Sequence, residues 1–309
     1  MTDEGVVATT PQYAVAAPAI WRRYYELTKP RVVALITFTA VVGTLLASPG
    51  WPPLRALVWG TLGIALASAS AAAINHVLDR RFDEQMARTQ SRPLPTRQLT
   101  ERRALIFAAV LGILAMTILA FLVNLLTAGL TFVSLIGYAV IYTVWLKHAT
   151  SQNIVIGGAA GAAPPILGWA AVTNHIDPNA LLLFLIIFVW TPPHFWALAI
   201  ARKDEYARAG IPMLPVTHGV EHTRLQVLLY TVLLMLVTVM PFLTRMSGII
   251  YLAAALALNA RFLYFALALK LTTRQEMPMR VFRYSVKYLM WLFAALLIDH
   301  YLPTTQLLR

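Results

Sequence analysis

The sequence contains no cysteine, which excludes disulfide bonds and cysteine-ligated metal sites. Charged residues are also scarce, at 12% of the chain, about half the share that a soluble globular domain carries. The first residues, MTDEGVVATT, lack a basic segment followed by an apolar core, so we expect no cleavable signal peptide. The absence of cysteine argues against a small domain stabilised by disulfide bonds, and the low charge argues against an ordinary soluble enzyme.

Apolar residues dominate instead, at 59% of the 309 residues, with a mean hydropathy of +0.67. They form runs of about 20 residues, the helix length that crosses a bilayer. In lipid the backbone must satisfy its own hydrogen bonds, which favours helices. We therefore predict an all-α, polytopic membrane protein of about nine transmembrane helices around a central cavity, forming one domain over residues 20–309 after a flexible tail at 1–19. The predicted spans lie near 32–48, 56–76, 104–122, 126–146, 153–172, 180–200, 225–243, 248–270 and 281–300.

Lysine and arginine are distributed unevenly between the loops. On one side of the predicted bundle they occupy the N-terminal segment and the loops after spans two, four, six and eight. The opposite side carries only Arg55, Arg245 and Arg309, and Arg261 falls inside a span. The positive-inside rule therefore predicts a multi-pass protein of the inner (cytoplasmic) membrane with a cytoplasmic N-terminus. Since the membrane accounts for the net charge of +12, no nucleic-acid partner is predicted.

Three polar residues recur at intervals of four at the end of span two. This spacing stacks Asn75, Asp79 and Asp83 on one face of a helix. Hard cations such as Mg2+ bind such oxygen ligands, with substrate phosphates completing the shell. The alternative is a solvated helix end with intrahelical Asp–Arg pairs, although Asn75 lies one turn deeper, where polar groups are costly in lipid. Arginines suited to phosphate oxygens follow closely, at positions Arg80, Arg81, Arg88 and Arg92.

A second acidic and basic cluster follows span six, on the same predicted side of the membrane. Asp204 and Glu205 lie there among Arg202, Lys203 and Arg208. Two such clusters, four spans apart, suggest two similar halves that present acids to a shared cavity facing the cytoplasm. The sequence shows no strong internal repeat, so this symmetry is a hypothesis.

An Asn-x-x-x-Asp-x-x-x-Asp motif at a helix end, with a second acidic motif four spans later, resembles the intramembrane aromatic prenyltransferase superfamily of the UbiA type. Seven segments look like the heme O synthase (protoheme IX farnesyltransferase) family in particular, and together they cover almost the whole chain beyond the N-terminal tail. They are LTKPRV at 27–32, NHVLDRRFD at 75–83, MARTQSRPLP at 86–95, YTVWLK at 142–147, NIVIGGAAGAAPPILGW at 153–169, WTPPHFWALAI at 190–200 and EYARAGIPMLPV at 205–216.

The resemblance implies transfer of the farnesyl group of farnesyl diphosphate to a vinyl group of protoheme IX, with addition of water, giving heme O and diphosphate. It implies Mg2+ as the cofactor, and a heme A synthase or terminal oxidase as a candidate assembly partner.

The superfamily's second motif is often Asp-x-x-x-Asp, but here Arg208 stands four residues after Asp204, so both Asp204 and Glu205 stay candidates. The implied metal ligands are Asn75, Asp79, Asp83, Asp204 and Glu205, of which Asp79, Asp83 and Asp204 are assigned to catalysis. The implied diphosphate ligands are Arg88, Arg92, Lys147 and Lys203, with Lys29 and Arg31 as weaker candidates.

The farnesyl cation formed in this reaction must be protected from water, which an apolar cavity with aromatic faces can do.

His194 lies between a proline pair and Trp196. It could ligate heme iron or bond a propionate; alternatively it is an interhelical hydrogen-bonding histidine. Pro192 and Pro193 are expected to break or kink span six. The other cavity candidates are Tyr142, Trp145, Phe195, Trp196 and Tyr206, for which the alternative is a membrane-interface aromatic.

Three other functions compete with this interpretation. A prenyltransferase with a quinone or phenolic acceptor would share the metal site but has no evident need for the PPHFWALA segment. A secondary transporter would suit helices interrupted by Pro and Gly, but its key polar groups would lie near the midplane rather than at helix ends. A structural assembly factor for a terminal oxidase would function without the acidic residues.

Overall fold

A computed structural model describes residues 19–87, 89–146 and 149–302. Within these ranges the chain forms helices joined by loops and turns, without any strand. Eight of the helices are long and apolar enough to cross a bilayer, and a bent pair, Ile20–Leu27 with Pro30–Leu46, makes a ninth span if counted together. The prediction of an all-α, multispanning membrane protein is confirmed. Most of the proposed N-terminal tail, together with Arg88 and Lys147, lies outside the described residues.

The spans are numbered α1 to α9 in chain order. They are Pro30–Leu46, Ala56–Leu78, Glu101–Leu122, Leu125–Leu146, Asn153–Thr173, Pro178–Ala201, Val220–Leu243, Ile249–Leu271 and Met277–Tyr301. Short helices outside these ranges include Ile20–Leu27, Arg80–Asp83, Lys203–Arg208 and Leu214–Thr217.

The α3–α4 hairpin turns at Asn124, the residue that mainly separates the third and fourth apolar runs of the sequence. The Asn124 Oδ1 accepts a hydrogen bond from the Thr127 backbone N–H at 2.8 Å and thereby caps α4. The Asn124 Nδ2 donates to the Ala170 carbonyl at 2.9 Å. One side chain therefore starts α4 and attaches the hairpin to α5.

Each span packs against the next along the chain, and α9 returns to α1. In addition, α2 packs against α4, and α6 packs against α9. The interior spans α2, α5, α6 and α9 are more buried than the peripheral spans α3, α4, α7 and α8. Peripheral side chains such as Ile113 and Val133, each 69% exposed, form an apolar outer surface suited to lipid. The two acidic clusters follow α2 and α6, which are both interior spans. They lie at the C-terminal ends of the second and sixth spans, and therefore at the same end of the bundle.

Glycines allow α1 and α5 to approach closely. A Cβ atom on Gly168 would overlap the Ala40 carbonyl oxygen, and one on Gly43 would overlap the Pro165 carbonyl oxygen. Since both obstacles are backbone atoms, no side-chain rotation could relieve the overlap. Small residues permit this kind of close helix contact in membrane proteins.

We expect Gly168→Ala to destabilise the protein by about 3 kcal/mol, the upper end of the usual cost of overpacking, because two helix backbones must separate. Thermal unfolding of the purified protein in detergent would measure the loss. Gly161→Ala is the matched control, since a Cβ there meets nothing within 4 Å. Equal unfolding temperatures for the two variants would contradict the close approach.

Span six is expected from the sequence to break or kink at Pro192 and Pro193, and the break is wrong, because α6 is one helix from Pro178 to Ala201. Proline fixes φ near the helical value, so its main cost is the missing N–H donor. Membrane helices tolerate that loss where neighbouring helices surround the freed carbonyls. Both prolines are buried, with α5, α7 and α9 packed against α6, which explains why the helix continues.

Candidate active site

The first acidic motif forms a buried ladder of oxygen atoms. Asn75, Asp79 and Asp83 are 3%, 6% and 5% exposed. Although α2 ends at Leu78, the backbone bonds of a helix continue, with Asp79 N donating to Asn75 O and Asp83 N to Asp79 O, both at 2.9 Å. The spacing of four therefore still stacks the three side chains across the junction. We call these three residues the oxygen ladder.

Hydrogen bonds orient Asn75 and Asp79 within the oxygen ladder. The Asn75 Nδ2 donates to Asp79 Oδ2 at 2.9 Å and to Thr143 Oγ1 on α4 at 3.2 Å. The Thr143 hydroxyl donates in turn to the Tyr138 carbonyl at 2.9 Å. Because the amide nitrogen faces Asp79 and Thr143, the amide oxygen of Asn75 points elsewhere and can accept a cation or a donor.

Among the described residues, a basic side chain contacts each end of the ladder. The Lys29 Nζ donates to Asn75 Oδ1, and Arg92 Nη1 pairs with Asp83 Oδ2 at 2.7 Å. Arg92 is held nearby because the Thr89 hydroxyl donates to the Asp83 carbonyl at 3.0 Å and folds the loop back. Buried acids beside two cations are an arrangement that can accept a metal and a polyanion together.

Lys29 reaches the ladder from an unusual backbone conformation. Its φ of 49° and ψ of 60° lie in the left-handed region, immediately before Pro30 and at the 51° bend between Ile20–Leu27 and α1. A non-glycine residue in this region is strained, and such strain is concentrated at functional sites. Lys29 was only a weak candidate from the sequence, whereas the structure gives it direct contact with Asn75.

The remaining basic candidates are placed differently. Arg80 pairs with Glu84 at 3.9 Å and with Glu101, so its charge is already compensated. Arg31 and Arg81 are exposed, and Lys203 is half-exposed.

The second acidic motif lies on the short helix Lys203–Arg208. The Glu205 carboxylate pairs with Arg202 at 2.6 Å, and its side chain is only 13% exposed, whereas Asp204 is exposed. Tyr206 is half-buried and packs against the main apolar core, which also contains Met86, a residue of the first acidic loop. Both loops therefore contribute to the same large core.

Tyr142 on α4 interacts electrostatically with Asp79 of the first motif and with Tyr206 beside the second. Its ring stacks on Tyr138 at 5.6 Å. The Gly157 Cα on α5 faces the Tyr142 ring so closely that a Cβ there would overlap it. The half of α4 that carries both tyrosines, Gly137–Leu146, is a π-helix, a form often found at functional sites.

No group of three or more His, Asp or Glu side chains surrounds a single point among the residues that the structure describes. The predicted metal ligands therefore do not form a complete protein cage within those ranges. Mg2+ usually binds through one or two carboxylates and completes its shell with water and substrate phosphates, so an incomplete cage suits it.

His194 lies between two aromatic rings on α6 and α9. Its ring stacks on Trp190 at 4.3 Å and on Phe282 at 4.5 Å, with Phe195 edge-on at 4.9 Å. Its Nδ1 lies 2.6 Å from Ser285 Oγ. Of the other aromatic candidates, Trp196 on α6 packs on Tyr230 at 5.2 Å, and Trp145 on α4 is 72% exposed on the outer surface.

Sequence reasoning missed several residues of this region. Trp190 precedes His194 by four positions, and Tyr138 precedes Tyr142 by four, so helical spacing could have indicated both. Thr143, Phe282 and Ser285 gave no such signal, because each contacts a span that is distant in sequence.

Residues 36–295 match the family model of the UbiA prenyltransferase family. The chain belongs to this family. It is 60% identical over 282 residues to the protoheme IX farnesyltransferase of Methylococcus capsulatus, covering 91% of this chain and 95% of the relative. It is 59% identical over 292 residues to the protoheme IX farnesyltransferase of Hahella chejuensis, covering 94% and 98%.

Solved structures share the fold of this UbiA family member at low sequence identity. A digeranylgeranylglyceryl phosphate synthase matches with a TM-score of 0.76 and 18% identity, covering 91% of this chain and 98% of that one. A UbiA homolog from Archaeoglobus fulgidus bound to DMAPP and Mg2+ matches with a TM-score of 0.60 and 16% identity, covering 89% and 99%. These likenesses confirm the predicted fold.

Proposed function

We propose that this prenyltransferase moves the farnesyl group of farnesyl diphosphate to a vinyl group of protoheme IX, with addition of water, and releases heme O and diphosphate. The observation that carries the proposal is the buried oxygen ladder with Lys29 and Arg92 bound to its two ends, in a chain 60% identical to a protoheme IX farnesyltransferase. This arrangement suits a diphosphate with its metal ion and lies at the end of an apolar helix bundle, where a farnesyl chain can remain in an apolar environment.

The residues of the oxygen ladder fit Mg2+ as the cofactor. They offer one amide oxygen and two carboxylates on one face, which leaves room for phosphate oxygens in the coordination shell. Asp79 and Asp83 are proposed to hold the ion with Asn75 beside them, and Asp204 or Glu205 is proposed to hold a second. When bound, Mg2+ would neutralise negative charge on the leaving diphosphate.

Basic side chains are proposed to bind the diphosphate directly. Lys29 and Arg92 now bond Asn75 and Asp83, and each can turn its donors to phosphate oxygens once the ladder oxygens bind metal. Donors placed in advance stabilise the charge that develops on the leaving group as the C1–O bond breaks. Arg88, Lys147 and Lys203 remain proposed diphosphate ligands.

Aromatic side chains are proposed to protect the allylic cation and to hold the heme. Tyr142 interacts electrostatically with Asp79 and Tyr206, and its ring is proposed to shield C1 of the farnesyl group from water. Phe195, Trp196 and Tyr206 are proposed to line the apolar side. His194, held between two rings, is proposed to contact the heme.

The proposal places the protein in the inner (cytoplasmic) membrane, with its N-terminus and active site on the cytoplasmic side. The supporting observation is that both acidic motifs lie at the end of the bundle that carries most of the basic residues. A heme A synthase or a terminal oxidase is the proposed assembly partner, since either would receive the product.

Purified protein incubated with farnesyl diphosphate, protoheme IX and Mg2+ should release diphosphate and yield a heme heavier by one farnesyl group and one hydroxyl group. Mass analysis of the extracted heme and a diphosphate assay would measure both products. Removal of Mg2+ with a chelator should stop the reaction, and added Mg2+ should restore it. Prenylation of a quinone or phenol with unmodified heme would contradict the proposed acceptor, and solute uptake without diphosphate release would favour a transporter.

A further inference from the structure

The hydrogen bonds around Ser285 determine which nitrogen of His194 carries a proton. The Ser285 Oγ lies 2.7 Å from the Phe282 carbonyl oxygen and 2.6 Å from His194 Nδ1. A carbonyl oxygen can only accept, so the single hydroxyl proton must lie on the bond to Phe282. The short contact to His194 then needs a proton on Nδ1. This arrangement satisfies both contacts, whereas the other tautomer would leave two oxygen atoms 2.7 Å apart without a hydrogen between them.

The same residues prevent the imidazole ring from turning. Trp190 covers one face and Phe282 the other, with ring planes within 17° and 22° of the His194 plane. Trp190 is itself fixed, since its Nε1 donates to the Ser285 carbonyl at 2.9 Å. Only the edge of the ring can therefore meet a ligand. Because Nδ1 carries the proton, the lone pair of the neutral imidazole is on Nε2 at this edge.

We propose that Ser285 is a positioning residue that holds His194 in the Nδ1–H form, so that Nε2 coordinates the iron of the acceptor heme. This inference rests on the proposed function, because it requires heme as a substrate. Histidines that bind metals usually donate their other ring N–H to a fixed acceptor, which sets the tautomer and orientation. Ser285 is fully buried and fulfils this role from α9, 91 residues away in sequence.

The group that accepts the hydrogen bond from His194 Nδ1 affects how tightly the imidazole binds iron, and the heme must leave after each reaction. A carboxylate on Nδ1 would raise the basicity of the imidazole and tighten its bond to iron. A hydroxyl that already donates to a carbonyl is a weaker partner and leaves the imidazole neutral. Ser285 thus orients the ligand without making the product difficult to release.

The test is a titration of the purified full-length protein with protoheme IX, followed by the Soret absorption band, which reports axial ligation. We expect His194→Ala to change the band and weaken binding, with added imidazole restoring the band. We expect Ser285→Ala to weaken heme binding about 10- to 100-fold, the usual cost of losing such a partner, without changing the KM for farnesyl diphosphate. Ser285→Thr keeps the hydroxyl and should bind heme nearly as the natural protein does.

Ser68→Ala serves as the matched control, since among the described residues the Ser68 hydroxyl bonds within its own helix, to the Ile64 carbonyl at 2.8 Å. An unchanged Soret band in His194→Ala would overturn the inference. Normal heme binding by Ser285→Ala, or equal losses in the Ala and Thr variants, would overturn the role of the hydroxyl. In both cases conversion of heme by the natural protein would still support the proposed function, and only failure to convert heme would contradict that function itself.

Discussion

Replacing Asp79 by Asn is expected to lower the rate of farnesyl transfer by about 10²- to 10³-fold, the usual loss when one preorganised electrostatic stabiliser is removed from an active site. Asp79 is 6% exposed, and its Oδ2 accepts a hydrogen bond from Asn75. Asparagine has the same shape and can still accept that bond, so the fold should persist. It lacks the negative charge that a divalent cation requires.

The rate should be measured as diphosphate release at saturating farnesyl diphosphate and heme, together with the unfolding temperature and the heme affinity. Glu84→Gln is the matched control, because Glu84 lies in the same loop but is exposed, and among the described residues its ion pair is with Arg80 at 3.9 Å. Glu84→Gln should retain normal activity. Full activity in Asp79→Asn would show that the charge of Asp79 in the oxygen ladder is not needed for farnesyl transfer.

Replacing Lys29 by Met is expected to lower kcat/KM for farnesyl diphosphate about 10- to 150-fold, since a hydrogen bond from a charged donor contributes about 1.5–3 kcal/mol. Methionine preserves most of the apolar stem and removes the ammonium group that reaches Asn75 Oδ1. The loss should appear in kcat/KM for farnesyl diphosphate, whereas the affinity for heme should not change.

Arg22→Met is a suitable comparison for Lys29→Met. Arg22 lies in the same N-terminal segment with the same charge, but it is exposed and rests over the Trp21 ring at 5.3 Å. Steady-state kinetics with varied farnesyl diphosphate would distinguish the two variants. If both behaved alike, the contribution of Lys29 would be a general effect of surface charge rather than contact with the substrate.

The sequence was sufficient for the features that depend on local pattern. The apolar runs predict the spans because transfer into lipid depends on the composition of each segment. Asn124 predicts the α3–α4 hairpin because it interrupts an apolar run and can cap a helix. The spacing of Asn75, Asp79 and Asp83 predicts the oxygen ladder because helical geometry fixes which side chains share a face.

The sequence was insufficient where distant segments meet. Lys29 contacts Asn75 across 46 positions from a left-handed backbone conformation, which no local pattern indicates. Ser285 and Phe282 reach His194 because α9 packs on α6. The proline pair in α6 predicts a break from local energetics, but the packing of three neighbouring spans keeps the helix intact.

The oxygen ladder occupies the last turn of α2 and the helix that follows it, at the boundary between the apolar bundle and the loops. In the proposed reaction this position separates the two products by solubility. Diphosphate forms beside the basic loops and can dissolve into the aqueous phase, whereas the prenylated heme gains a chain of 15 carbons, each buried CH2 favouring lipid by about 0.8 kcal/mol. The heme is therefore expected to partition into the bilayer, so that reversal would need the two products to meet again from different phases.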